Sequence, residues 1–73
     1  MWQVAMGSVI LSSLKWTVLQ TRTYVYPDGT KETFTGVQQL TVMRTGCHVL
    51  ETCKADTFVV APGWRYIAQR DEA

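Results

Sequence analysis

The sequence predicts an all-β domain, a small antiparallel meander or partly closed barrel of about five to six short strands, and three observations carry that reading. Ten Thr and nine Val, with the Ile, Tyr, Phe and Trp residues, bring the strand-preferring types to 29 of 73, while Ala and Leu number five each. Seven of the nine even positions from 2 to 18 are apolar, against three of the eight odd ones, and period two is the strand signature. The segment Tyr26-Pro27-Asp28-Gly29-Thr30 then separates two strand-like runs with the chemistry of a hairpin turn.

Trp2, Val4, Met6, Ile10, Leu14, Trp16 and Val18 form the apolar side of the first run. A helix over residues 2–14 is the competing reading, because Trp2, Ala5, Val9 and Leu11 also make a fair helical stripe. At the turn, Pro27 fixes the negative φ of the first position, Asp28 suits the second, and Gly29 supplies the left-handed residue of a three-residue loop. That loop sets Tyr26 opposite Thr30, Tyr24 opposite Glu32 and Arg22 opposite Phe34. Tyr24, Tyr26 and Phe34 then share the core-facing side with Trp16 and Val18, and Thr21, Thr23, Lys31, Thr33 and Thr35 face outward.

Past Gly36 the pattern is ambiguous. Residues 37–44 fit a strand with Leu40 and Val42 inward or a short helix with Val37, Leu40 and Met43 aligned, and Gly46 would end either one. Residues 47–53 are equally open. Lys54, Ala55 and Asp56 read as a turn into the strand-like residues 57–61, and Pro62-Gly63 turns the chain into a run where Trp64, Tyr66 and Ala68 alternate with Arg65 and Ile67. Residues 69–73 read as a polar tail that frays. An antiparallel sheet carrying one short helix is the alternative architecture.

A chain of 73 residues and 8.3 kDa makes one domain, 1–73, and buries only about 60% of its unfolded surface. Its hydrophobic content of 47% and charged content of 18% exclude a disordered tail. The net charge of +1 provides no strong field for nucleic acid or an anionic membrane. Residues 2–14 are too short and too interrupted by Gly and Ser for a membrane span, and no Lys or Arg precedes them as in a signal peptide. Two cysteines fall short of a disulfide framework. A cytoplasmic protein with free thiols is expected, a Cys47–Cys53 bridge being the lesser reading.

The inventory of reactive groups argues against an enzyme. Cys47 and His48 are neighbours, so in a strand they point to opposite faces and cannot form a nucleophile–base pair. A small buried Cys beside a surface His is the expected arrangement. Cys47, His48 and Cys53 provide three ligands at a spacing unlike a closed zinc site, with Glu51 or Asp56 as remote fourths. The six acids are scattered, and no phosphate-binding loop or nucleophile elbow occurs. No catalytic residue, cofactor or metal is assigned.

Binding is what remains. Arg22 with Tyr24 and Tyr26, and the run Trp64-Arg65-Tyr66, combine the residue types enriched at interface hot spots. Thr23, Lys31 and Thr33 on the outward face complete the expected contact set. The leading expectation is a non-enzymatic protein that occupies a surface of a larger protein partner, a mode common among small stand-alone proteins of phage and mobile elements. A small β-barrel binding single-stranded nucleic acid is the second expectation, since the same residues stack bases and contact phosphates. A structural subunit pairing through strand edges is the third, and with few charges to protect those edges a homodimer is expected.

Overall fold

Alternation becomes five antiparallel strands in one sheet: β1 (Ile10–Val25), β2 (Lys31–Met43), β3 (His48–Thr52), β4 (Thr57–Val60) and β5 (Tyr66–Asp71). The computed structural model describes residues 9–72, so the expectations on Trp2, Val4, Ala5 and Met6 lie outside the described residues. The strand order is β4-β3-β2-β1-β5, a meander whose last strand returns to pair with the first. Residues 37–43 are strand, as are residues 48–52, and the helical alternatives are not adopted.

The Pro-Asp-Gly loop sets the expected register, with Arg22 opposite Phe34 and Tyr24 opposite Glu32. Tyr26 N–H donates to Thr30 O (2.9 Å), Gly29 N–H donates to Tyr26 O (2.9 Å), and Gly29 sits at φ +90°. Thr30 donates both its N–H (2.9 Å) and its hydroxyl (2.7 Å) to Asp28 Oδ1, which holds the Asp28 carboxyl below its ordinary pKa. The same three-residue loop recurs twice. Met43 N–H donates to Cys47 O around Gly46 at φ +91°, and Thr52 N–H donates to Asp56 O around Ala55 at φ 66°. Gly46 thus closes a three-residue loop, where a two-residue turn or a helix cap was expected.

The sheet curls until strands two places apart touch across its inner face. Two strand spacings are about 9.6 Å on a flat sheet. Yet the rings of Phe34 on β2 and Phe58 on β4 lie 5.1 Å apart, and those of Tyr24 on β1 and His48 on β3 lie 5.6 Å apart. Register shifts let long strands bend in this way. They fall in β1 between Lys15 and Gln20 and in β2 between Val37 and Gln39, beside Gly36 at φ +65°. The connector 61–65 joins the two outermost strands without pairing them, so the barrel stays open.

Tyr24, Val37, Leu50 and Val60 form the buried core, with Trp16, Tyr26, Phe34, Leu40, Trp64 and Ile67 packed against it. Ile67 faces inward and Tyr66 outward, because Ile67 pairs with Tyr24 on the core side. Two expectations are corrected here. Val18 is exposed although Trp16 reaches the core. Gln69, Arg70 and Asp71 end β5 instead of fraying, tied by Gln20 Nε2–H to Asp71 Oδ1 (2.6 Å), Thr21 hydroxyl to Glu72 Oε2 (2.6 Å) and Glu72 N–H to Leu19 O (2.8 Å). Among the described residues no helix is long and apolar enough to cross a membrane.

Candidate interaction site

The residues expected to bind a partner divide between the two faces of the sheet. Arg22, Tyr24 and Trp64 are on the inner face, where Arg22 is only 4% exposed. Tyr26 is half-buried on the same side, its hydroxyl donating to Glu32 Oε1 (2.6 Å), and this bond raises the Tyr26 pKa. Arg22 and Tyr24 are therefore buried in the core, away from the partner that sequence reasoning expected them to meet, and Trp64 packs against that core partly buried.

His48 joins them, contrary to its expected place on the surface. Its Nδ1 lies 2.8 Å from Tyr24 Oη, and its ring packs on Trp64 at 4.6 Å. Arg22 Nε–H donates to Tyr24 Oη (3.4 Å), a guanidinium having only donors, so the Tyr24 proton is free for His48 Nδ1. Arg22 also donates to Gln69 Oε1, and its charge lies 5.6 Å from the ring centroids of both Trp16 and Tyr24. Neutral acceptors and ring faces thus stabilise a buried cation. Burial and the neighbouring Arg22 push the His48 pKa below its ordinary 6.5, and burial raises that of Tyr24. Neutral His48 accepting from Tyr24 is the consistent state.

Such a cluster resembles a proton relay. Cys47 and Cys53 are both free thiols, and the His48 nitrogen nearest the chain is already engaged by Tyr24. Among the described residues no three His, Cys, Asp or Glu side chains converge as metal ligands. A hollow of about 390 Å³ opens between Phe34, Phe58 and the β3–β4 turn, and its lining mixes Lys54, Asp56 and Glu72. The Glu72 carboxylate there is already occupied by the Thr21 hydroxyl and by Gly36 N–H (2.7 Å), which hold its pKa down.

The outer face of β5, β1 and β2 gathers the other expected residues. Register sets Tyr66, Val25 and Lys31 in one row, Ala68, Thr23 and Thr33 in the next, then Arg70 beside Thr21. Tyr66 is 55% exposed and Lys31, Thr33 and Arg70 are exposed, while Arg65, also exposed, belongs to the connector before β5 and has no register partner on this face. Small Ala68 between larger neighbours leaves a shallow depression of about 350 Å³, lined by Thr21, Thr23, Thr33, Ala68, Gln69 and Arg70. Its threonine hydroxyls are in part turned to each other, with Thr23 and Thr33 Oγ1 at 3.1 Å. Arg70 was missed because residues 69–73 read as a tail.

A second surface is a strand edge of the kind the sequence reading expected but did not locate. β5 covers β1 only over residues 20–25, so among the described residues no strand pairs with that side of residues 10–18. Around this bare edge Val9, Ile10, Leu11, Leu14 and Val18 are exposed, Leu11 by 63%. The alternation that pointed to a strand here also signalled burial, and burial requires a neighbour that the chain does not place. Compared with known proteins, the chain matches no family model, no curated protein and no solved structure.

Proposed function

We propose that this chain is a non-enzymatic interaction protein that occupies an acidic surface of a larger protein through the outer face of β5, β1 and β2. The observation that carries this reading is the grouping of Lys31, Arg70 and Tyr66 around a threonine-lined depression on one exposed face. Rim cations there speed encounter with an acidic partner and fix its register. Tyr66 supplies a rigid apolar anchor at low entropic cost, and the threonines offer hydroxyls at close spacing.

Single-stranded nucleic acid is the weaker reading for a structural reason. Stacking needs several exposed rings in series, and Trp16, Tyr24, Phe34 and Trp64 are packed in or against the core. That leaves Tyr66 as the ring on this face. Capture from a lysate with and without nuclease separates the two readings. A nuclease-resistant partner that is lost with Lys31→Glu plus Arg70→Glu and retained with Lys54→Glu supports the proposal. Loss of capture on nuclease treatment, or sub-micromolar salt-sensitive binding to a single-stranded oligonucleotide, puts nucleic acid in its place.

A further inference from the structure

We infer that a second copy of this chain pairs along the bare half of β1, antiparallel about a two-fold axis at Leu14, so that two five-stranded sheets join edge to edge. The inference stands apart from the proposed partner surface, which lies on another face and another stretch of chain. An unpaired strand edge offers a row of N–H and C=O groups to any extended segment, and natural sheets protect such edges with charges, prolines or brevity. Residues 10–18 have one charge, Lys15, and no proline. Of the two outermost strands, β4 is only four residues long, and β5 is six residues long and includes the charged Arg70 and Asp71.

Self-pairing is favoured over a foreign strand by what falls opposite what. A two-fold at Leu14 sets residue i against residue 28 − i of the other copy. Leu14 then meets Leu14, Ile10 meets Val18, Ser12 meets Trp16, and each Lys15 meets Ser13. Leu14 with Leu14 and Ile10 with Val18 are apolar pairs, Trp16 and Leu11 meet the small Ser12 and Thr17, and no like charges stand directly opposite. A contact made by one patch with its own copy must be self-complementary in this sense. The outer face, with its cations, selects for charge; this edge does not.

Contact area sets the strength. Residues 10–18 at about 3.3 Å each give a seam about 30 Å long, and a sheet about 10 Å thick turns that into about 300 Å² of flat contact per copy. Standard interfaces bury about 800 Å² per partner, so the dimer forms in the micromolar range and exchanges with monomer.

Sedimentation equilibrium of the full chain across micromolar concentrations tests the inference. The weight-average mass is expected to rise from 8.3 kDa toward twice that value. Leu14→Lys, at a side chain already 52% exposed, sets two cations against each other on the axis and is expected to weaken association by about tenfold or more. Its circular dichroism and melting curve should match the parent. In a Cys47→Ser, Cys53→Ser background, Leu14→Cys should form a covalent dimer on mild oxidation, because directly opposed strand residues lie within disulfide reach. Val59→Cys, equally apolar and exposed on β4, should not. A monomer at every concentration, a dimer indifferent to Leu14→Lys, or cross-linking at Val59 instead of Leu14 would overturn the inference. Lys31→Glu plus Arg70→Glu is expected to leave the dimer intact, so either surface can fail without the other.

Discussion

The two halves of β1 share one strand and have opposite fates. Residues 20–25 lie between β2 and β5, and there Gln20 and Arg22 are as buried as Tyr24 and Val25. Residues 10–18 are paired on one side only, and there Ile10, Leu11 and Leu14 stand more than half exposed. Hydropathy alone would rank these residues the other way round. Topology decides instead: β5 brings Asp71 and Gln69 to satisfy Gln20 and Arg22, whereas nothing described covers the leucines. Even so, the polar solution is incomplete, since Gln20 Oε1 is buried without a partner. An apolar stretch left bare beside a polar stretch kept dry marks the first as a place for association and the second as structural.

The covered half is the place to break the fold. Tyr24→Ala removes the ring that contacts Phe34, His48 and Trp64 and leaves Arg22 and His48 without their shared hydroxyl. A loss of about 3–5 kcal/mol is expected in urea titration, enough to unfold a marginal domain. The turn that aligns this half comes next. Gly29→Val meets open space, so its expected cost of about 1–2 kcal/mol is backbone strain alone. The converse, Ala55→Gly in the third loop, relieves a left-handed alanine and should add about 0.5–1 kcal/mol, net of the entropy glycine loses. If Ala55→Gly destabilises, the three loops are not equivalent.

A pH scan reads the covered half through His48. Because its folded pKa lies below 6.5, the unfolded chain takes up a proton that the folded chain refuses just under that pH. Stability is therefore complete above about pH 6.5 and falls as pH drops toward the folded value. The melting temperature should show that limb, and His48→Gln should flatten it. Glu72 acts in a lower window: its depressed pKa gives stability that is lost only below its ordinary 4.5. The smallest effects belong to exposed positions. Leu14→Lys on the free half and Thr33→Lys on the outer face should each change stability by no more than about 0.5 kcal/mol while acting on dimer and partner respectively.

Which parts of this were legible in the sequence follows from how far each signal reaches. The first hairpin was, register included, because Pro27, Asp28 and Gly29 fix it within five residues. Past Gly36 the face assignment depends on bulges, which shift parity without a period of their own, so 37–44 stayed open between strand and helix. His48 was misplaced because adjacent Cys47 and His48 must point oppositely, and alternation does not say which one points in. The tail was misread because Gln69, Asp71 and Glu72 are polar; their partners Arg22, Gln20 and Thr21 lie about fifty residues away. Arg22 and Tyr24 were chosen as binding residues by type, and the same types build a small core.

The strand order also sets a sequence of events in time. Three of the four strand pairings are hairpins closed by three-residue loops, each able to form in microseconds. The fourth joins Gln20 to Asp71 and Val25 to Tyr66 across most of the chain, and its loop entropy must be met before its contacts exist. β5 therefore docks last, on a meander whose inner face is still open along β1. Ile67→Ala should speed unfolding and leave the folding rate nearly unchanged, and a slowed folding limb in its chevron would refute late docking. Until that strand arrives, the whole of β1 is an edge, and at high concentration a second chain competes with β5 for it.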